Sequence, residues 1–135
     1  MPTTRADRLD IRSSDDVVKV RQQTRTLAVE AGLSLVDQTK IITAASELAR
    51  NALDYGGGGV VNIDVVEDGG RRGLRLTFED RGPGIADVAQ AMRDGFTTGS
   101  GLGLGLGGAK RLSNEFSIDS KPGVGTKISI VRWKA

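Results

Sequence analysis

Apolar residues recur at helical spacing in two stretches of the first half of the chain. The first stretch has its apolar positions at Val17, Val20, Leu27 and Ala31. These positions share one face of a helix. Ser13 to Asp16 would begin this helix, because short acceptors and carboxylates favour its positively polarised end. Gly32 would end it, because glycine readily takes the left-handed conformation of a helix C-terminus.

The second stretch predicts a longer helix, which Ser34 and Asp37 would open as capping residues. Its apolar face consists of Ile41, Ile42, Ala45, Leu48, Ala49 and Ala52. The helix would end by Tyr55, because the consecutive glycines from Gly56 to Gly59 cannot continue it cheaply.

Alternation of apolar and polar residues predicts β-strands at residues 61–66 and 74–78, and Asp68, Gly69 and Gly70 begin a hairpin connection between them. Shorter alternations predict a first strand near residues 9–11, a fourth at 116–118 and a last one ending near Trp133, with a short helix at 109–112. Together these elements predict a two-layer α/β sandwich, in which a mixed, mainly antiparallel sheet carries about three helices on one face.

Length and composition narrow the class of protein. The 135 residues suit one domain spanning residues 1–135, and 38% hydrophobic residues are enough for a core. The net charge of +2, with scattered basic residues, gives no electrostatic reason to expect a nucleic-acid or membrane partner. The sequence has neither a signal peptide nor an apolar run of membrane-spanning length, so we expect a cytoplasmic protein.

The chain contains no cysteine and no histidine. Disulfides, thiolate nucleophiles, imidazole bases and phosphohistidine are therefore excluded. Acid–base chemistry is left to Asp, Glu, Lys or Tyr.

Glu47, Asn51 and Asp54 lie at positions i, i+4 and i+7 of the second helix and so share one face. A carboxylate beside an amide oxygen suits a hard cation and a proton acceptor at one site. The same spacing also suits a solvated polar stripe opposite the apolar face, so the pattern by itself leaves both interpretations open.

The segment 80–84, Asp-Arg-Gly-Pro-Gly, directly follows the strand at 74–78. Two glycines after a strand end let a flat ligand approach the backbone closely. The Asp80 carboxylate can then accept a hydrogen bond from an exocyclic amine of that ligand. A plain turn uses the same residue types, so this interpretation also stays open. Gly125-Thr126, at the start of the last strand, indicates no function by itself.

Glycines dominate residues 95–108, ahead of the third helix. The backbone N–H groups of such a loop, with the positive end of the following helix, suit a phosphate. Gly103, Gly105 and Gly108 also fit the spacing of a dinucleotide fingerprint, but the strand which that fingerprint requires does not precede them.

Taken in order, these motifs resemble the ATP-binding boxes of the GHKL superfamily, whose Bergerat fold is shared by sensor kinases and DNA gyrase. Within it, the chain is most similar to the small bacterial serine/threonine kinases of sigma-factor regulation, the stressosome switch kinases first and the anti-sigma factor kinases next. The resemblance covers residues 13–133 and rests on segments 46–51 (Ser-Glu-Leu-Ala-Arg-Asn), 79–85 (Glu-Asp-Arg-Gly-Pro-Gly-Ile), 94–98 (Asp-Gly-Phe-Thr-Thr) and 110–112 (Lys-Arg-Leu).

The resemblance implies roles for individual residues. Glu47 would be the general base, Asn51 would coordinate Mg²⁺, and Asp80 would accept a hydrogen bond from the adenine amino group of ATP. The remaining nucleotide contacts would come from Gly82, Gly84, Gly99, Gly101, Leu102, Gly103, Gly105, Lys110 and Thr126.

The resemblance also implies a function. It is that of a Mg·ATP-dependent serine/threonine protein kinase acting in partner switching of bacterial stress and sigma-factor regulation. Its substrate would be a small STAS-like antagonist or scaffold protein, and its second partner a phosphatase or a sigma factor. Two alternatives stay open: an anti-sigma factor that sequesters a sigma factor, and a nucleotide-gated binding module without kinase activity.

Overall fold

The computed structural model describes residues 3–84 and 105–134 of the chain. Its elements, in chain order, are β1 (Thr3–Ile11), α1 (Ser14–Glu30), α2 (Leu35–Asp54), β2 (Gly59–Asp68), β3 (Arg71–Asp80), α3 (Gly105–Arg111), β4 (Glu115–Lys121) and β5 (Gly125–Trp133). Each predicted element is present, and β1 is longer than the alternation near its end indicated. In the part of the chain described here, no helix has both the length and the apolar character needed to span a membrane.

The strands form one sheet in the order β1-β2-β3-β5-β4, and every pairing in it is antiparallel. A two-residue loop, Gly69-Gly70, joins β2 to β3 with φ values of +57° and +85°. These two positive φ values suit the tight hairpin turn that the sequence predicts. Insertion of β5 between β3 and β4 puts Asp80, the last residue of β3, opposite Thr126 at the start of β5.

The described helices pack on one face of this sheet. Alternate strand residues such as Ile63, Leu76 and Ile130 are fully buried in one cluster with the helices. The opposite face has a separate small cluster of Val66, Val131 and Trp133. The predicted two-layer α/β sandwich is therefore confirmed.

The ends of α1 agree with the sequence in position but differ in detail. Ser13 occupies the N-cap position, yet its hydroxyl makes no capping hydrogen bond. The Asp16 carboxylate instead accepts a hydrogen bond from the backbone N–H of Arg12, at 2.8 Å. At the other end, Gly32 has a φ of +80° and ends the helix as predicted.

The start of α2 is held to the end of β5 by an ion pair between the buried Asp37 and the partly buried Arg132. The Ser34 hydroxyl caps the helix by accepting from the N–H of Asp37, at 3.1 Å. The Asp37 carboxylate in turn accepts from Nη2 and Nε of Arg132, at 2.7 and 3.1 Å. These hydrogen bonds from Arg132 hold the pKa of Asp37 below its ordinary value, although burial opposes the shift.

We expect Asp37→Ala to lower the free energy of unfolding by about 3 kcal/mol at neutral pH, because it leaves the largely buried Arg132 guanidinium without its counter-charge. A carboxyl with a lowered folded pKa contributes stability that is present above the unfolded value near 3.9 and is lost as the pH falls through the folded value. Urea unfolding across acidic pH should therefore show the difference between wild type and variant shrinking below about pH 4.

Asp54→Ala is the matched control, since it removes an exposed carboxylate at the other end of the same helix. Its effect should stay within about 0.5 kcal/mol. An Asp37→Ala penalty of that small size, or one that does not change with pH, would contradict the role given to the ion pair.

Candidate active site

Glu47 and Asn51 lie one turn apart in the second half of α2, on one face of the helix. Both side chains are half-buried, whereas that of Asp54 is exposed. The structure thus separates the predicted polar stripe into two sheltered residues and one solvated residue.

The end of α2 is closed by glycines that turn the chain into β2. The N–H groups of Gly56 and Gly58 both donate to the carbonyl of Ala52, at 3.1 and 2.9 Å. Gly57 between them has a φ of +72°, which favours glycine. Because of this turn, the backbone after α2 passes directly beside the end of β3.

The backbone at Gly56 touches the side chain of Asp80. A Cβ atom at position 56 would lie 2.5 Å from Cγ of Asp80, and one at Gly82 would lie 2.6 Å from Cα of Gly56. Neither separation leaves room for a side chain. The end of α2 and the end of β3 can therefore meet only because both glycines lack side chains.

The Asp80 carboxylate is oriented by backbone groups. Its Oδ1 accepts from the N–H of Gly82 at 2.9 Å. Burial raises the pKa of Asp80 above its ordinary value, while hydrogen bonds from the backbone of Gly82 and Thr126 oppose that shift. A partly desolvated acceptor in a cleft is a candidate for binding a donor group of a ligand.

Asp80, Thr126 and Ser120 stand in one row across three neighbouring strands. Asp80 is the register partner of Thr126, and Thr126 is that of Ser120. The hydroxyl oxygens of Ser120 and Thr126 are 2.8 Å apart, and Thr126 is buried. At this end of the sheet, three polar residues therefore follow the apolar residues that form the rest of the same face.

Two further glycines close the backbone around this row. A Cβ at Gly125 would lie 2.2 Å from the carbonyl oxygen of Asp80, and one at Gly84 would lie 2.4 Å from that of Lys121. Both residues have positive φ, +143° and +76°. The segment after β3 is thus packed tightly on the β4–β5 turn.

A cleft of about 740 Å³ opens at this end of the sheet. Asp80 and Thr126 line it, with the glycines that follow α2 on one side. Charged side chains of both signs also line it, among them Arg8, Lys127 and Glu79, and the last two form an ion pair. Its size is in the range of a small-molecule site.

The third helix lies against α2. Leu106 and Ala109 of α3 are buried in the main core, and Lys110 is exposed. Gly105 is the first residue of α3. The other predicted phosphate-binding residues, Gly99, Gly101, Leu102 and Gly103, lie outside the described residues.

The structure thus brings Asp80, Gly82 and Thr126 together at one end of the sheet. It places Glu47 and Asn51 on the helix whose end contacts Asp80. Gly84 lies just beyond them, against the β4–β5 turn.

Two contributors to the site were missed from the sequence. Gly56 was interpreted as a helix stop alone, and Ser120 was given no role. The tight Lys121–Val124 turn, with its Pro-Gly pair, would have indicated that Ser120 faces the start of β5, because a hairpin pairs the residues that flank it.

Comparisons with known proteins agree with the predicted resemblance. The family model of histidine kinase-, DNA gyrase B- and HSP90-like ATPases matches residues 36–135. The serine/threonine-protein kinase RsbT of Bacillus subtilis is 50% identical over 118 residues, which are 87% of this chain and 89% of that protein. The anti-sigma F factor of Anoxybacillus flavithermus is 33% identical over 106 residues, 73% of this chain and 71% of that protein.

A solved structure shares the fold. The crystal structure of the RsbU and RsbW domains of Rv1364c from Mycobacterium tuberculosis aligns with 98% of this chain, at a TM-score of 0.68 and 24% identity. This chain spans 34% of that one. At such low identity the match supports the architecture alone.

We expect Asp80→Asn to raise the free energy of unfolding at pH 7, because a carboxyl with a raised folded pKa destabilises the fold while it is ionised. The amide retains an oxygen to accept from the N–H of Gly82. The advantage over wild type should narrow as the pH falls towards 4, since wild-type Asp80 then becomes protonated. Urea unfolding at several pH values measures it.

Asp119→Asn is the control for the change in net charge, because Asp119 is an exposed carboxylate. An Asp80→Asn variant that is less stable than wild type at neutral pH, or whose advantage grows in acid, would contradict the burial of the Asp80 charge.

Proposed function

This chain belongs to the histidine kinase-, DNA gyrase B- and HSP90-like ATPase family, the GHKL family that its motifs predicted, and we propose that it is an ATP-dependent serine/threonine kinase of a partner-switching system. The family and kinase predictions are confirmed by the matches to the family model and to RsbT. The kinase interpretation is better supported than the anti-sigma factor alternative, because the identity to RsbT is higher over more of the chain.

The arrangement around Asp80 is the observation that carries this proposal. A half-buried carboxylate, held by the N–H of Gly82, stands at the end of β3 beside the helix that bears Glu47 and Asn51. Adenine offers an exocyclic amine as donor to this carboxylate, while Gly82 and Gly84 shape the backbone around it by packing against Gly56 and the β4–β5 turn. We therefore assign Asp80, Gly82, Gly84 and Thr126 to the adenine end of bound ATP.

Glu47 is assigned to the nucleophile. In the transfer, the hydroxyl oxygen of a substrate serine or threonine forms a bond to the γ-phosphorus, and the bond from that phosphorus to the β–γ bridging oxygen breaks to release ADP. The hydroxyl proton passes to the Glu47 carboxylate. Because phosphoryl transfer has a loose transition state, Glu47 chiefly orients the hydroxyl.

Asn51 is assigned to Mg²⁺. Among the residues the structure describes, no group of three or more acidic, histidine or cysteine side chains could hold a metal. A single amide oxygen on α2 fits an ion that arrives with the nucleotide, because Mg²⁺ commonly combines one or two protein oxygens with phosphate oxygens and waters. Bound there, the ion would neutralise charge on the phosphates.

The phosphates are assigned to the segment before α3. Gly99, Gly101, Leu102, Gly103 and Gly105 would supply backbone N–H groups. Lys110, exposed on α3, would neutralise γ-phosphate charge. The sequence pattern and the family match support this part of the proposal.

The partners follow from the class of system. We propose a small STAS-like antagonist or scaffold protein as the substrate and a phosphatase or sigma factor as the second partner, all in the cytoplasm where ATP is available. Residues 1–135 would act as one domain, since β1 and α1, which precede the matched region, share the sheet and core of the rest.

We expect Glu47→Ala to reduce transfer of the γ-phosphate to a protein substrate by roughly 100-fold or more, because the hydroxyl loses its orienting base. The affinity for ADP should stay within about twofold of wild type, because Glu47 is assigned to the nucleophile and not to the nucleotide. Labelled ATP in an extract of the source organism, and then the purified substrate, measures the transfer.

Asp54→Ala, on the same helix but solvent-exposed, is the matched control and should transfer normally. Glu47-independent labelling would remove the base assignment. Tight ATP binding without any transfer would favour the nucleotide-gated binding module.

We expect Asn51→Ala to abolish the dependence of ATP binding on Mg²⁺, because it removes the protein oxygen assigned to the ion. Calorimetric titration of ATP with Mg²⁺ and with a chelator compares the two states. An unchanged Mg²⁺ dependence in the variant would show that Asn51 is not the ligand.

A further inference from the structure

A second cleft, of about 370 Å³, lies at the end of the sheet opposite to Asp80. It is lined by residues from the start of β3, the end of β5 and the start of α2, among them Arg71, Trp133 and Asp37. Asp80 is the last residue of β3 and pairs with Thr126 near the start of β5. The two clefts therefore stand at opposite ends of the same strands.

The two carboxylates that line this second cleft are already engaged by donors of the protein. The Asp37 carboxylate accepts from Nε and Nη2 of Arg132. The Glu115 carboxylate accepts from Nε1 of Trp133, at 2.5 Å. Three cationic side chains line the cleft against these two carboxylates, which leaves a net charge of +1, and the cations are Arg71, Arg132 and Lys134.

Arg71 and Asn114 offer donors to this cleft. The guanidinium of Arg71 lies over the Trp133 ring, 4.1 Å from its centroid, and its ion-pair partner Asp68 is 3.8 Å away, beyond hydrogen-bonding distance. Oδ1 of Asn114 accepts from the backbone N–H of Trp133 at 2.7 Å, so the amino group is the donor end of this amide. Such donors match a carboxylate, which can only accept.

Exposed apolar side chains adjoin the second cleft. Leu35 and Val36, the first two residues of α2, are 74% and 63% exposed and directly precede Asp37 in the cleft wall. A Cβ at Gly32, in the connection before α2, would lie 3.4 Å from the side chain of Lys134. The apolar pair Leu35–Val36 and the second cleft therefore form one surface, which we call the docking surface.

Further positive charge stands beside the apolar pair. Lys40 follows Val36 by one helical turn on α2. Arg132 is the main cause of the lowered pKa of Asp37, and the charge of Lys40 contributes to the same shift, so Lys40 lies near the cleft. A partner that presents carboxylates beside apolar side chains complements this arrangement.

The sheet limits the form that such a partner can take. β5, the strand that ends in the second cleft, is paired on one side with β3 and on the other with β4. A partner therefore cannot join β5 as an added strand. An amphipathic helix presents carboxylate and apolar side chains on neighbouring stripes, and it can lie on the docking surface without backbone pairing.

We propose that the docking surface binds an acidic amphipathic helix of a partner protein. A carboxylate of that helix pairs with Arg71 and Asn114 in the second cleft, and its apolar side chains cover Leu35 and Val36.

This partner is the second partner and not the phosphorylated substrate, an assignment that rests on the proposed kinase function. The docking surface includes the first turn of α2, whereas Glu47 and Asn51 lie in the second half of that helix. A helix of 20 residues spans about 30 Å, so a protein held at its start leaves the position beside Glu47 open.

The test is binding of a fluorescein-labelled helical peptide of about five turns to the purified full chain, measured by anisotropy. The peptide carries leucines on one face and glutamates and alanines on the other, and its control has lysine in place of every glutamate. The glutamate peptide should bind at least about tenfold more tightly, because the two peptides present opposite charges to the cleft. Equal binding of the two peptides, or binding of neither, would overturn the proposal.

Substitutions on the docking surface test its two halves. Arg71→Ala and Leu35→Ser should each weaken binding of the glutamate peptide by about fivefold, the size of one lost charged or apolar contact. Val18→Ser and Lys19→Ala are the matched controls, because both residues are exposed near the start of α1, and they should bind as wild type does. Unchanged binding in Arg71→Ala or in Leu35→Ser would contradict the docking surface.

Trp133 reports where the peptide binds, because it is the only tryptophan of the chain. Saturation with the unlabelled glutamate peptide should change its emission, since a carboxylate that pairs with Arg71 alters the guanidinium stacked on the ring. Binding that leaves this emission unchanged would overturn the proposal. Self-association of wild type that Leu35→Ser abolishes, measured by sedimentation, would make a second copy the occupant and would also overturn it.

Phosphate transfer separates this inference from the proposed kinase function. Leu35→Ser should transfer the γ-phosphate to the protein substrate within about twofold of the wild-type rate, because its side chain is not assigned to the substrate. A loss of transfer as large as that in Glu47→Ala would show that the substrate docks here, and the assignment to the second partner would be wrong. If wild type transfers no phosphate but binds the glutamate peptide as described, the kinase proposal fails and the docking surface stands.

Discussion

The close contact between the end of α2 and the end of β3 is the constraint on which the candidate site depends. Gly56 lies against the side chain of Asp80, and Gly82 lies against Gly56. A methyl group at either glycine would meet atoms at distances that folded proteins do not tolerate. The helix that bears Glu47 and Asn51 and the strand that ends in Asp80 are therefore held in one arrangement by the absence of side chains between them.

The ionised Asp80 carboxylate destabilises the fold in this arrangement. Burial disfavours its charge, and the hydrogen bonds from Gly82 and Thr126 compensate only in part, so its pKa is raised. A carboxyl that weakens the fold while ionised is typical of a group retained for binding. Asp37, by contrast, has a lowered pKa because Arg132 donates two hydrogen bonds to it. Hydrogen bonding therefore outweighs burial at Asp37, whereas burial outweighs hydrogen bonding at Asp80.

Both ends of α2 are fixed to the sheet, the start by a polar contact and the end by close packing of the backbone. The Asp37–Arg132 pair holds its start to β5, and the glycine turn holds its end to β3. The 20 residues of α2 are therefore fixed relative to the sheet at both ends.

Much of this protein could be predicted from its sequence. Apolar spacing indicated each described element, glycines indicated the ends of α1 and α2, and the order of Glu47, Asn51, Asp80 and the later glycines indicated the GHKL family. The elements and the helix ends are local features, because backbone propensity and periodicity act over a few residues. The family was indicated by the resemblance of the ordered motifs. The sequence could not distinguish a solvated stripe from a site at Glu47, nor assign any role to Ser120.

Tertiary structure decided those points because they depend on residues far apart in the chain. Insertion of β5 between β3 and β4 aligned Asp80, Thr126 and Ser120, and no periodicity specifies strand order. The desolvation of Asp80 and the contact with Gly56 likewise exist only after packing. The sequence alone therefore determined the elements and the family, whereas tertiary structure determined which polar groups meet, because burial and cross-strand contact are properties of the folded chain.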